Sequence, residues 1–234
     1  MNKIFLTALL CVLVHTGFAQ LQKGTWATTG NISYLRENQE RDAATDAQPK
    51  VEAKYERFQL RPSIGFFVSD GFELGITAGY DYSDYVRNSS TQTYATANSY
   101  EVKSYTAGVY ARKYKFLAAN VAVFGQGDIN YIASDVLSEF VGSGAFNTYK
   151  ADYRSDVKHF SVNLRPGVSF FVHDRISLNA LYGALSYSRS DMDHKRSEVI
   201  FGQNNSSEYS TDAYDLRFDF SGQSLSLGFS LYFR

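Results

Sequence analysis

From Trp26 to the last residues, large apolar side chains fall on every second position, with small, polar or charged side chains between them. A period of two is the signature of a strand with one apolar face. Trp26, Thr28, Gly30, Ile32 and Tyr34 oppose Ala27, Thr29, Asn31 and Ser33 in a first predicted strand. Phe58, Leu60, Pro62, Ile64, Phe66 and Val68 form the apolar face of a second, and Phe72, Leu74, Ile76, Ala78, Tyr80 and Tyr82 that of a third. A fourth carries Tyr105, Ala107, Val109 and Ala111, and a fifth Val121, Val123, Ile129 and Tyr131. The sixth and seventh carry Phe160, Val162, Leu164, Val168, Phe170 and Val172, then Ile176, Leu178, Ala180, Tyr182 and Ala184. Leu225, Leu227, Phe229, Leu231 and Phe233 make the last. The pattern predicts an all-β chain of about eight antiparallel strands, an even number of the kind that closes into an up-and-down barrel.

Two of these hairpins repeat one another. Leu60-Arg61-Pro62, Phe66-Phe67-Val68, Asp70, Leu74 and Gly79 return as Leu164-Arg165-Pro166, Phe170-Phe171-Val172, Asp174, Leu178 and Gly183. For Val68 and Phe72 to share a face, Ser69-Asp70-Gly71 must be the turn, which sets Arg61 opposite Gly79; the same rule sets Arg165 opposite Gly183. A glycine across the strand leaves room for a guanidinium inside a narrow barrel. Connections alternate in length. Ser69 to Gly71, Phe116 to Asn120 and His173 to Arg175 are short, whereas Glu37 to Ala53, Asp84 to Glu101, Ala133 to Asp156 and Ser188 to Ala213 read as long polar loops. Parity breaks once, since Leu216, Phe218 and Phe220 are even and Leu225 onward odd, so Ser221-Gly222-Gln223 reads as a bulge or as the point where a protruding hairpin becomes the final strand.

The start of the chain places this barrel outside the cytoplasm. Lys3, the apolar run Ile4 to Val14 and Gly17-Phe18-Ala19 before Gln20 have the three parts of a secretory signal, so residues 1–19 read as a leader and 20–234 as the barrel domain. The single cysteine, Cys11, lies inside that leader, with Leu10 a poor residue for lipoprotein cleavage. The remaining chain then has no thiol for a disulfide, a nucleophile or a metal. A net charge of -1 gives no basic field for nucleic acid. No later apolar run is long enough for a membrane helix, so a membrane location requires a closed barrel with no open edges.

Alternation leaves the inside undecided, and a soluble lipocalin-like barrel is the rival. An eight-strand lumen is just wide enough for its own side chains, so the small-rich face (Gly65, Gly75, Ser169, Ser224, Ser226, Gly228, Ser230) fits inside better than rows of Phe and Leu. Tyr and Phe recur near strand ends, as in interfacial girdles. The expectation is a transmembrane barrel in the cell outer membrane, short turns periplasmic and long loops outside.

The leader ending Phe18-Ala19-Gln20, the segment Tyr110-Ala111-Arg112-Lys113-Tyr114 and the closing Leu227-Gly228-Phe229-Ser230-Leu231-Tyr232-Phe233 resemble the small outer-membrane β-barrel domain family that includes OmpX-like and OmpA-like barrels. The resemblance covers the whole mature chain on loose motifs. It implies recognition of the C-terminal strand by the barrel-assembly machinery through a terminal aromatic, here Phe233 followed by Arg234. No peptidoglycan-binding domain follows, so that role of the longer relatives is not implied.

Inward parity collects Arg61, Glu73, Asp81, Arg112, Asp128 and Arg165. Such a set is either an ion path or a mutually paired polar plug, and pairing wins because unpaired charge in a narrow lumen is costly. Phe67, Phe171, Tyr114 and Tyr232, inward at the short-turn end, are expected to close the floor. His159-Phe160-Ser161 is the one close His and Ser on a strand face, but it lacks a downstream carboxylate. Asp191-Met192-Asp193-His194 matches no dedicated cation motif, and Gly125-Gln126-Gly127 lacks the helix of a phosphate loop. The sequence therefore points to a non-enzymatic barrel without cofactor or catalytic set. Its expected partners are outer-membrane lipids and lipopolysaccharide, the assembly machinery and an unidentified extracellular ligand of the Tyr- and Asn-rich segments 94–100 and 203–214. A narrow channel and a lipid-modifying enzyme are the alternatives.

Overall fold

The computed structural model describes residues 21–42, 49–91, 93–144, 148–200, 203–221 and 225–234; the leader expected over 1–19 lies outside the described residues. Ten strands form one antiparallel sheet: β1 (Trp26–Arg41), β2 (Lys50–Ser69), β3 (Phe72–Ser90), β4 (Tyr94–Ala118), β5 (Val121–Gly144), β6 (Thr148–His173), β7 (Ile176–Tyr182), β8 (Ala184–Ile200), β9 (Gln203–Asp219) and β10 (Leu225–Phe233). Neighbours pair in chain order from β1 to β7; β7 pairs β10 and β10 returns to β1. The ring thus closes through eight strands. The other two, β8 and β9, form a hairpin that continues the wall above β7 and β10, with β8 laid on the far half of β6.

Three short turns share one construction. Asp70-Gly71, Ala119-Asn120 and Asp174-Arg175 each follow a register shift of one residue, between Phe67 and Ser69, Phe116 and Ala118, and Phe171 and His173. The expected three-residue turn Ser69 to Gly71 is therefore a two-residue turn beside a bulge, with Gly71 at φ 64°. Arg61 lies level with Gly79 between the pairs Leu60↔Tyr80 and Ser63↔Thr77, and a Cβ at Gly79 would come within 3.2 Å of the Arg61 Cγ. The second repeat departs from this rule. Beyond Gly167↔Leu181 the ladder breaks and resumes at Leu164↔Leu185, so Gly183, at φ 75°, is a bulge rather than a cross-strand partner of Arg165. The space a side chain would take at Gly183 holds the Phe220 ring. Outward parity consequently switches from even on β7 (Leu178) to odd on β8 (Leu185, Tyr187).

Among the described residues, the four expected long loops are largely strand. Most of their residues continue the strands: β6 runs for 26 residues and pairs β5 without interruption from Phe170 to Thr148. The segments 94–100 and 203–214 belong to β4 and β9. At about 3.3 Å per residue β6 is ~85 Å long, more than twice what a bilayer crossing needs. Polarity concealed this, because charged cross-strand neighbours maintain a ladder as well as apolar ones do.

The barrel has a distinct outside. Ile76, Leu178 and Leu227 point away from the lumen and are 60%, 54% and 65% exposed. Each of six successive strands carries an outward aromatic one step below or level with the last: Tyr34, Phe58, Tyr80, Tyr105, Tyr131 and Phe160. Tyr80 and Tyr105 rings lie 5.3 Å apart. Eight residues below Tyr34 and Phe58, the Trp26 and Phe66 rings pack at a tilt with centres 5.0 Å apart. Every lysine of the described strands has outward parity, whereas Arg57, Arg61, Arg112 and Arg165 turn inward. Arginine's planar fork suits fixed ion pairs, and lysine's flexible stem suits a solvated outer surface.

Closure between the ends of the chain is short. β1 pairs β10 only from Trp26↔Phe233 to Gly30↔Phe229, after which Asn31 Nδ2 donates to the Leu227 carbonyl at 2.9 Å. Farther up, β9 is paired with β8 alone among the described residues. The inverse holds on the acidic side of the outer surface, where three carboxylates stand in register on adjacent strands, Glu56↔Asp84↔Glu101. Arg36 neutralises Glu56 at 3.3 Å and Lys103 neutralises Glu101 at 2.7 Å. Asp84 between them has its acidity weakened by burial and by the two flanking carboxylates. A raised folded-state pKa means that the protonated form is favoured in the fold, so stability contributed by Asp84 is greatest at low pH and declines as pH rises through that value. Asp84→Asn is expected to raise the urea midpoint at pH 7 by the equivalent of less than about 1 kcal/mol, and to leave it unchanged near pH 3.

Candidate functional site

The lumen is built in three layers. At the short-turn end Phe67 packs on Tyr114 (5.8 Å) and Tyr232 (6.2 Å), Tyr114 on Phe124 (5.3 Å), and Phe171 on Tyr232 (5.7 Å). All five are buried, as are Leu21, Ala27 and Ala122 around them. The segment before β1 completes this floor: Gly24 N–H donates to the Phe67 carbonyl and Gly71 N–H to that of Leu21, at 2.9 and 2.8 Å.

Above the floor lies a dry polar layer. Glu73, with no exposed surface, accepts from the Tyr110 hydroxyl at 2.5 Å and from the Tyr114 hydroxyl at 3.0 Å. Arg112 stands 3.6 Å from the same carboxylate and donates to Gln126 Oε1 from Nε (3.0 Å) and Nη2 (2.7 Å), its guanidinium 4.7 Å from the Phe124 ring centre. Across the lumen Asn179 accepts from Ser169 (2.6 Å) and Ser177 (3.1 Å) and donates to Ser230 (2.7 Å), while Ser177 and the Tyr232 hydroxyl are 3.0 Å apart. Gly65 and Gly75 make room for this layer, since a Cβ on either would collide with Tyr110.

The third layer surrounds an open cavity of about 370 Å³. Asp128 is the centre of its wall: it accepts from Arg165 Nη2 (2.5 Å) and Nε (3.1 Å), Asn163 (2.7 Å), Asn130 (2.7 Å) and Gln126 (3.0 Å). Arg61 donates to Asp81 from Nη2 (3.0 Å) and Nε (3.3 Å), beside Gln59 at 2.5 Å. The six residues singled out by inward parity thus fall into three ion pairs: Arg61 with Asp81, Arg165 with Asp128, and Arg112 with Glu73, the last two linked through Gln126. Sequence reasoning missed the neutral members Tyr110, Gln126, Asn130, Asn163 and Asn179. Their only signal was inward parity at lumen depth, which attention to charged residues alone passes over.

Other sequence candidates disperse. His159 Nδ1 lies 2.8 Å from the Ser190 hydroxyl, whereas Ser161 is engaged by Asn163 at 3.4 Å, so the nearby His and Ser do not form a pair. Asp191 and Asp193 face outward on β8 while Met192 and His194 face inward; Ser155 and His194 are 2.7 Å apart. Gly125-Gln126-Gly127 is interior to β5.

These layers define a closed antiparallel β-barrel with an apolar exterior, an ion-paired interior and a sealed base. Among solved structures the chain is similar to the crystal structure of the outer membrane protein OprG from Pseudomonas aeruginosa, with 12% identity over 93% of this chain and 99% of that chain and a TM-score of 0.44. No family model and no curated sequence matches it.

Proposed function

We propose that the protein is an integral outer-membrane β-barrel that does not conduct, anchoring long hairpins at the cell surface. The observation that carries this reading is the outward apolar belt between Trp26 and Tyr34 and between Phe66 and Phe58, bounded by aromatic rings at both edges. Nine residues per strand at that spacing match the ~9–11 that a tilted strand needs to cross hydrocarbon. A closed ring satisfies its backbone groups internally, the condition for any sheet in lipid. Aromatic rings at the belt edges and lysines beyond them suit the headgroup regions and their phosphates, which makes lipids and lipopolysaccharide the natural surroundings. β10, ending at Phe233, is the segment proposed for recognition by the assembly machinery.

The floor and the dry polar layer favour a surface role over a channel. Two successive barriers of buried side chains, one aromatic and one ion-paired, lie across the lumen. The role then falls to the hairpins beyond the upper aromatic row, in envelope integrity, adhesion or capture of an extracellular ligand. The His159 and Ser161 expected as base and nucleophile of a lipid-modifying activity do not meet, His159 standing 2.8 Å from Ser190 instead. The test is direct. Outer-membrane fractions are expected to show a band whose gel mobility shifts on boiling, and the pure folded protein to give no unitary conductance in planar bilayers. A soluble, heat-insensitive band overturns the membrane reading, and stable conductance steps overturn the sealed lumen.

A further inference from the structure

The cavity above the dry layer has an imbalance between what it can donate and what it can accept. Asp128 already takes five hydrogen bonds from four side chains, and Asp81 takes three from Gln59 and Arg61 with Arg57 3.9 Å away. Asp128 is saturated, with three bonds on Oδ1 and two on Oδ2, and Asp81 has two on Oδ2 and one on Oδ1, the oxygen nearest Arg57. The guanidiniums are not saturated. Arg61 and Arg165 spend Nε and Nη2 on their carboxylates, and Nη1 of each is left over among the described residues. Arg57, half exposed in the vestibule above, shares Asp81 with Arg61. Arg57, Arg61 and Arg165 therefore face two carboxylates, leaving one positive charge uncompensated in a recess whose walls concentrate the field. Deeper in, Arg112 is balanced by Glu73. A further polar atom is orphaned: the Thr106 hydroxyl, on the wall common to cavity and vestibule, is buried without a partner.

We propose that this recess is a binding cup for a small, hydroxyl-bearing carboxylate of single negative charge, of the sugar-acid class. A cation would enter a recess of net positive charge whose two carboxylates are already held by guanidiniums, and a dianion exceeds the single surplus charge. An apolar ligand would strand the guanidinium donors, at the cost of burying polar groups unpaired. A hydroxylated carboxylate meets both needs: its carboxylate takes the Nη1 donors, and its hydroxyls exchange hydrogen bonds with the amides that ring the wall. A cavity of about 370 Å³ is at the lower end of the ~300–1,000 Å³ range of small-molecule sites, the size of one such molecule. The vestibule opens toward the long hairpins, and the sealed floor makes the cup a dead end. That its mouth faces the cell exterior rests on the outer-membrane reading; the cup itself does not.

The test is titration calorimetry of the detergent-folded full chain with gluconate as the probe and glucose as its neutral counterpart. Saturable one-site gluconate binding is expected, at least tenfold tighter than glucose, weakened by added salt, and weakened at least tenfold in Arg61→Gln. Arg57→Gln, whose half-exposed side chain carries little of the fold, is a second variant expected to weaken gluconate about threefold without altering the heat-dependent gel shift. No saturable gluconate binding by the heat-modifiable chain, equal binding of glucose, or gluconate binding unchanged in both variants overturns the proposal. A chain that binds gluconate but is soluble and heat-insensitive supports the cup and overturns the membrane reading alone.

Discussion

Replacing Arg112 with leucine is expected to destabilise the folded barrel by about 3–5 kcal/mol, the range for leaving a buried charge without its partner. The loss comes from Glu73, which is fully buried and would keep only the hydroxyls of Tyr110 and Tyr114. Gln126 would lose the guanidinium that donates to it twice. Replacing both charges, in Arg112→Leu with Glu73→Leu, is expected to recover most of the deficit, because a buried ion pair is close to neutral against apolar residues of similar volume. Urea unfolding in lipid vesicles, followed by the heat-dependent gel shift, reads both. A double variant no more stable than Arg112→Leu would show that the Tyr110 and Tyr114 hydroxyl bonds, and not the charge pair, govern this layer.

The second large effect concerns the floor. Phe67→Ala removes a ring with no exposed surface that packs on Tyr114 and Tyr232, and is expected to cost about 3–5 kcal/mol. Lost contact and residual cavity both contribute, and the ring of strands around Phe67 has little freedom to collapse. The same variant separates the two barriers of the lumen. Phe67→Ala alone is expected to stay silent in planar bilayers, since the Glu73 and Arg112 layer remains, whereas Phe67→Ala combined with Arg112→Ala is expected to conduct. Conductance from the single variant would identify the aromatic floor as the only seal.

Both predictions concern residues whose inward parity was legible in the sequence. Glu73, Arg112, Phe67 and Tyr114 each occupy a lumen position because strand periodicity fixes the face of every residue between two irregularities. What parity could not supply was the partner. Arg61 and Asp81, 3.0 Å apart, belong to one hairpin. Arg165 with Asp128 joins β6 to β5, and Arg112 with Glu73 joins β4 to β3; these pairs depend on the register of neighbouring hairpins, each set by its own turn and bulge.

Irregular positions were read less well. The break between Leu216 and Leu225 was visible, and the structure ends β9 at Asp219 and begins β10 at Leu225, with 222–224 outside the described residues. The switch at Gly183 has no signal in the repeat, because its counterpart, Gly79, is a regular strand residue. The same local motif serves two purposes: at Gly79 it leaves space for Arg61, and at Gly183 it turns the chain and holds Phe220.

By itself, the sequence determined the apolar portions of the eight ring strands and their two faces up to Gly183, the places of the short turns and the aromatic floor, all of which follow from side-chain alternation and local turn chemistry. Tertiary structure decided how far the ladders run past the apolar belt, where the ring closes, which charges neutralise which, and that a surplus of donors remains around an open recess. The physical reason is range. Alternation is a property of neighbours along one strand, whereas pairing, closure and charge balance are properties of residues brought together across strands, and nothing in the local pattern fixes them.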